Sequence, residues 1–184
     1  MPSDLLRDIP ADVRGRAARI RLAAFDVDGT LNDGTLWYPG DGPEIKCFHV
    51  QDGLGLKLLR EHGIEVAIVT ARESRGVEVR ARELGLRHVQ QGTRSKRDAL
   101  EGLARALQLP LEQCSFMGDD LPDLPALQVA GLAVAPANAH PWVAARVHWC
   151  TRRGGGGGAG RELCDLLLAA QGHADAVLRR FLPE

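Results

Sequence analysis

Residues 21–30 read RLAAFDVDGT, an apolar run of strand type that ends in two carboxylates, Asp26 and Asp28, one residue apart. In extended backbone, side chains two apart lie on one side of the chain, so these two anions crowd each other. Their repulsion is relieved by a shared proton, by outward splay into water, or by a bound cation. Asp-Gly-Thr is also ordinary turn chemistry, so the pair acquires meaning only from what surrounds it.

Similar short runs recur along the chain. EVAIVT (65–70), the weaker RHVQ (87–90), CSFMG (114–118), GLAVA (131–135) and ARVHWC (145–150) read as further strands. Between them lie segments of helical period: Val77, Ala81 and Leu84 share one face, as do Leu100, Leu103, Ala104 and Leu107, and Gly85 stands where a helix C-terminal glycine belongs. The alternation predicts an α/β fold, a Rossmann-like, mostly parallel sheet with helices on both faces. One segment breaks it. Residues 34–50, GTLWYPGDGPEIKCFHV, hold two strand-like pieces around a turn-rich centre and predict an inserted β-hairpin beside the Asp26 site. A run of five glycines within 154–161 precedes an amphipathic helix carrying Leu163, Leu166 and Leu167. That run is either a flexible linker or backbone that something approaches closely.

The 184 residues suit one domain spanning 1–184. Lys and Arg number 23 against 24 acids, a net charge of -1, and aromatic residues are only 4%. Neither a basic field nor stacking platforms are present, which argues against a nucleic-acid partner. Cys47, Cys114, Cys150 and Cys164 are scattered, form no C-x-x-C pair and read as buried free thiols. No segment has the length and apolarity of a membrane span, and the N-terminal residues lack the apolar centre of a signal peptide. The expected setting is a reducing cytoplasm.

In open parallel sheets, ligands bind beyond the carboxyl ends of the strands. Those ends hold Asp26 and Asp28, Thr70, Lys96 shortly after RHVQQG, and Asp119, Asp120 and Asp123 after CSFMG. Oxygen ligands without imidazole or thiol suit Mg²⁺. Adding a hydroxyl and an ammonium gives the inventory for holding a phosphoryl group. Asp26 is the candidate nucleophile, forming an aspartyl-phosphate, and Asp28 the candidate acid and base at the bridging oxygen. Thr70 with Glu73 also fits a helix capping box. Lys96 also fits a solvated helix start, with Arg94 or Arg97 as rival phosphate contacts. Asp119 and Asp123 also fit helix-start acids. Arg72 follows Thr70 closely enough to meet a substrate anion, or belongs to a solvated face with Arg75 and Arg80. Arg161 is a substrate contact or a plain helix-start residue. The six histidines show no ligand spacing.

DVDGT (26–30), Thr70, Lys96 and GDDLPD (118–123), in that order, resemble the four motifs of the haloacid dehalogenase superfamily of aspartate-nucleophile phosphatases. The resemblance implies that the Asp26 carboxylate, the Asp28 main-chain carbonyl and Asp119 bind Mg²⁺, with Asp120 and Asp123 in support, and that Thr70 and Lys96 hold phosphate. From Arg21 to Gly172, NDGTLWYPGDGPEIKCFHVQDGLGLKLL, VTAR, QGTRSK and GGGGGAGRELCDLLLAAQG are similar to the capless branch represented by 3-deoxy-D-manno-octulosonate 8-phosphate phosphatase. By resemblance, the fold has no large cap domain and the chain is a homotetramer. Its inserted hairpins associate around a central axis, and its glycine-rich tail enters the adjacent subunit's site. Substrate contacts at Thr70, Arg72, Lys96 and Arg161 are expected. So is hydrolysis of a small phosphorylated sugar acid, in the lipopolysaccharide precursor pathway of a Gram-negative bacterium. A nine-carbon sialic-acid-type phosphate, a non-hydrolytic assembly or regulatory module, and a phospho-acceptor signalling domain are the rival readings. This chain departs from the branch pattern at Asn32, Gln51, Ala71 and Ser95. Residues 1–19 and the helix-like ADAVLRRFL (174–182) have no counterpart there.

Overall fold

The computed structural model describes residues 6–182. Six strands, β1 (Leu22–Phe25), β2 (Glu65–Val69), β3 (His88–Gln90), β4 (Cys114–Met117), β5 (Leu132–Ala135) and β6 (Trp149–Cys150), form one parallel sheet in the order β3-β2-β1-β4-β5-β6. Alternate residues of β1 serve two cores: Ala23 and Phe25 pack into one, Leu22 and Ala24 into the other. Helices α1 (Ala11–Ala17), α2 (Val50–Glu61), α3 (Arg75–Leu84) and α7 (Ala159–Ala170) cover the first face. The second lies beneath α4 (Lys96–Ala106), α5 (Leu124–Leu127) and α6 (Pro141–Ala144). A final helix, α8 (Ala174–Phe181), packs Val177 against the first core. The strand order reverses direction at β1, so β2 and β4 diverge on either side of Asp26 and open a crevice at their carboxyl ends.

The register of β1 puts Phe25 beside Ile68 of β2 and Met117 of β4. The residues that follow these three strands therefore share one rim. Local signals set the helices flanking it. Ser74 caps α3 by accepting from Gly76 N–H (3.2 Å), Ser95 caps α4 by accepting from Asp98 N–H (3.2 Å), and Gly85 ends α3 at φ 65°. Val77, Ala81, Leu84, Leu100, Leu103 and Ala104 are buried as their periodicity predicts.

Four sequence expectations are corrected. The inserted segment forms a single antiparallel bridge, Trp37 to Ile45, rather than two strands, and its last residue, Val50, already opens α2 with His49 as cap. Strand β6 is two residues long because Ala145 caps the end of α6 and the turn that follows it occupies residues 146–148, leaving only Trp149 and Cys150 to pair with β5. Ser74, not Thr70 with Glu73, caps α3. Only Cys114 and Cys164 are buried; Cys47 and Cys150 are exposed.

Candidate active site

Asp26 leaves the end of β1 buried, its main-chain N–H still donating to Met117 O (2.9 Å). Its Oδ1 lies 2.7 Å from Lys96 Nζ, and the same ammonium lies 2.5 Å from Asp123 Oδ1. Lys96 is thus not a solvated helix-start charge. It is the first residue of α4, folded inward to 7% exposure. Burial alone would weaken its proton affinity, but Asp26 and Asp123 outweigh that and hold it above the ordinary lysine value.

Asp119 completes the group. Carboxylate oxygens of Asp26, Asp119 and Asp123 all lie within 4.8 Å of one another. Burial first, then Asp123, pushes Asp26 up to about 7 and Asp119 up to about 6, with Lys96 pulling against both. Three carboxylates thus share one ammonium, and the cluster is short of positive charge. Its donors are hard oxygens, which fits Mg²⁺. The residues differ in what they can offer. Asp123 Oδ2 accepts from the N–H groups of Asp119 (3.0 Å) and Asp120 (3.1 Å), and its Oδ1 takes Lys96, so both oxygens are engaged in orienting the site. Lys96 and the Val27 N–H engage Asp26, and Thr30 Oγ1 (3.1 Å) engages Asp119, which still leaves each carboxylate with oxygen lone pairs for a metal.

Close packing after β1 depends on glycine. Gly29 has φ 89°, and any Cβ there would collide with the Asp119 carboxylate. Gly29→Ala is therefore expected to weaken Mg²⁺ binding at least tenfold by displacing Asp119, as measured by isothermal titration calorimetry; unchanged affinity would show that Asp119 is not a ligand. The glycine run is also explained. Gly156 N–H donates to Thr30 O (3.3 Å), and a Cβ at Gly155 would overlap the Gly29 carbonyl. It lies on its own chain's 29–33 loop as closely approached backbone, not as a free linker.

Asp28 stands apart from the three-carboxylate cluster. Its Oδ1 accepts from Asn32 Nδ2 (2.8 Å) and Lys46 Nζ (2.5 Å). Its Oδ2 is buried without a hydrogen-bond partner among the described residues, with Arg72 Nε 3.8 Å away. Arg72 donates to Tyr38 Oη (3.1 Å) and Glu44 Oε2 (3.2 Å). Thr70 is buried at the rim immediately after β2.

Two expected site residues lie elsewhere. The exposed Asp120 carboxylate accepts from Leu121 N–H (2.8 Å), capping a short 3₁₀ turn at Leu121–Asp123, and only its main-chain N–H reaches the cluster's support. Arg161, in the first turn of α7, pairs with Asp165 (2.7 Å) and lines a separate cleft with Asp8, Arg152 and Arg153.

The haloacid dehalogenase-like hydrolase family model matches residues 87–158. The 3-deoxy-D-manno-octulosonate 8-phosphate phosphatase KdsC of Escherichia coli K12 is 44% identical over 167 residues, 91% of this chain and 89% of that protein. The chain belongs to this phosphatase family. A Xanthomonas campestris protein of known crystal structure is 57% identical, with a TM-score of 0.95 over 97% of this chain and 98% of that one. The family's enzyme from Moraxella catarrhalis, solved with magnesium, phosphate and KDO, is 44% identical, with a TM-score of 0.91 over 93% and 98% of the two chains.

Within this family member, the sequence reading overlooked Thr30, Asn32, Glu44 and Lys46. Asn32 was visible only as a departure from the family pattern. Its Oδ1 accepts from Gly29 N–H (3.0 Å) and Gly34 N–H (2.8 Å) while its amide nitrogen reaches Asp28, a span a threonine could not bridge. Glu44 and Lys46 alternate with apolar residues as in any exposed strand, and no local signal marks them.

Proposed function

We infer that this chain is a Mg²⁺-dependent phosphomonoesterase that hydrolyses 3-deoxy-D-manno-octulosonate 8-phosphate to the free sugar acid and orthophosphate. The observation that carries the reading is the buried Asp26 carboxylate, held by Lys96 among Asp119 and Asp123 and two residues from Asp28 with its unpartnered oxygen. The family relative solved with magnesium, phosphate and KDO supports the same substrate class.

In the first half-reaction an Asp26 oxygen bonds to phosphorus and the bridging P–O bond breaks. The electron pair stays on the sugar oxygen, which takes the proton of Asp28. In the second half, Asp28 removes a proton from water, the water oxygen bonds to phosphorus, and the acyl-phosphate bond breaks to return Asp26. Asp26, Asp119 and the Asp28 main-chain carbonyl are the proposed metal ligands; bound there, Mg²⁺ offsets the negative charge of the transferring phosphoryl group. Asp123 orients Lys96 and the Asp119 loop. Thr70 and Lys96 hold phosphate oxygens, and Arg72 meets the substrate outside them. Arg161, turned to Asp165, reaches substrate only by changing partner.

Phosphate release from the sugar-acid 8-phosphate is expected in Mg²⁺ and lost in EDTA. A kcat/KM at least tenfold lower is expected for a nine-carbon sialic-acid-type 9-phosphate. The reverse ranking would favour the rival substrate, and no release from either would leave a non-hydrolytic module.

The two raised carboxyls give this metal dependence a pH signature. Because the metal-free folded protein holds the Asp26 and Asp119 protons more tightly than the unfolded chain does, those groups reduce its stability as pH rises from about 4 to about 7. Mg²⁺ must displace the same protons, so its stabilisation should grow over that window: the gain in Tm at fixed Mg²⁺ is expected to be several degrees larger at about pH 8 than at about pH 5. An equal gain at both pH values would contradict carboxylate ligation by this cluster.

The same reading makes the enzyme a cytoplasmic homotetramer serving lipopolysaccharide precursor synthesis. Among the described residues no helix is long and apolar enough to cross a membrane. Leu36, Trp37, Tyr38, Ile45 and Val50 leave a large apolar area exposed on and beside the inserted segment, as an association surface requires. Light scattering after gel filtration tests the subunit count; a fully active monomer would exclude the assembly.

A further inference from the structure

The inserted segment carries a lysine whose place the chemistry above does not use. The Lys46 side chain is 2% exposed, although its neighbours Ile45 and Cys47 face solvent. Its ammonium lies 2.5 Å from Asp28 Oδ1 and 3.1 Å from Glu44 Oε1. Glu44 in turn takes Arg72 (3.2 Å), and Arg72 Nε faces Asp28 Oδ2 at 3.8 Å. Asp28, Lys46, Glu44 and Arg72 thus close a ring of alternating charge that ties the insert to the loops after β1 and β2. Burying a lysine carries a desolvation penalty of several kcal/mol unless its partners are well placed. A surface-anchoring role would be served without that penalty.

The two oxygens of Asp28 are treated differently. Oδ1 accepts from Lys46 and from Asn32 Nδ2 (2.8 Å). Oδ2 is buried with no hydrogen-bond partner among the described residues. A carboxyl that must pass a proton to a leaving oxygen has to carry it on the oxygen that no donor already hydrogen-bonds, and Arg72 Nε, at 3.8 Å, is too far from Oδ2 to do so. We propose that Lys46 is a positioning residue for Asp28: with Asn32 it pins Oδ1, so that Oδ2 is the oxygen that delivers the proton to the leaving alcohol. The inference rests on the reading of Asp28 as the general acid. Its chemistry balances as before: the proton leaves Oδ2, the bridging P–O electrons stay on the sugar oxygen, and Asp28 becomes a carboxylate still held by Lys46.

A residue that acts through the general acid matters only when the leaving group needs a proton. The test compares kcat/KM, which covers the steps through leaving-group departure, for the sugar-acid 8-phosphate and for 2,4-dinitrophenyl phosphate, whose phenolate leaves unprotonated. General acid–base catalysis contributes about 10²–10⁴-fold, so Lys46→Met is expected to lose roughly 10- to 100-fold on the sugar phosphate but less than about threefold on the aryl ester. Lys46→Arg should recover part of the first loss. Equal losses on both substrates, or none on either, would overturn the proposal. Lys46→Gln, which keeps a donor without the charge, provides the same comparison if circular dichroism finds the Met variant unfolded. Asp28→Asn separates the two layers. Selectivity in Asp28→Asn without selectivity at Lys46 would remove only the positioning role, whereas equal losses in Asp28→Asn would remove the general acid itself.

Discussion

Asp26→Asn is expected to lower phosphate release by on the order of 10⁴-fold or more while leaving the fold intact, since removing a covalent nucleophile takes away the intermediate through which both half-reactions pass. The fold should tolerate the change. Asp26 is one of three carboxylates drawing on a single ammonium, and its raised proton affinity reflects burial in the company of Asp123. A neutral amide of the same shape relieves that crowding, and Lys96 keeps Asp123 as partner. Turnover assays on the variant, beside thermal melts without Mg²⁺, test both halves: near-wild-type turnover would refute the nucleophile, and a collapsed Tm would refute the electrostatic account.

Lys96→Met should do the opposite to stability and nearly as much to activity. The ammonium lies 2.7 Å from Asp26 and 2.5 Å from Asp123, and neither its side chain nor theirs is more than 7% exposed. Breaking a buried pair by deleting one partner costs about 3–5 kcal/mol because the remaining charges are left uncompensated. The lower end is expected here, since Asp26 can take up a proton near neutrality. Turnover should fall by at least about 10²-fold, the usual consequence of removing a fixed charge from a reacting oxyanion. Urea melts with and without Mg²⁺ should find the loss largest in its absence. An unchanged midpoint would mean that Lys96 does not hold the cluster together.

The sheet was legible because its four central strands are short apolar runs buried on both faces, and the rim was legible because chemistry collects where such strands end. Asp26, Asp28, Thr70, Lys96, Asp119 and Asp123 all follow from that rule, and Asp120 was read with them because proximity in sequence says nothing of which way a side chain turns. At Asp120 the carboxylate found a local N–H to cap. Arg161 likewise found Asp165 one helical turn away. The inserted segment reads as two strands because TLWY and EIKCFHV alternate as strands do, whereas the fold pairs only Trp37 with Ile45 there and spends Glu44 and Lys46 on Asp28 and Arg72. Contacts between residues 18 positions apart, as in Lys46 to Asp28, leave no periodic trace. The glycine run was ambiguous for the same reason: only the fold reveals that its partner is the 29–33 loop.

The most direct test of the account is to quench the enzyme in acid during turnover of the sugar-acid phosphate in Mg²⁺ and map its peptides by mass spectrometry. The account predicts one phosphoryl group, labile to hydroxylamine, on the peptide and residue Asp26. A phosphoryl group on Asp28 or Asp119, or an enzyme that turns over at full rate with no labelled aspartate at any time point, would contradict it.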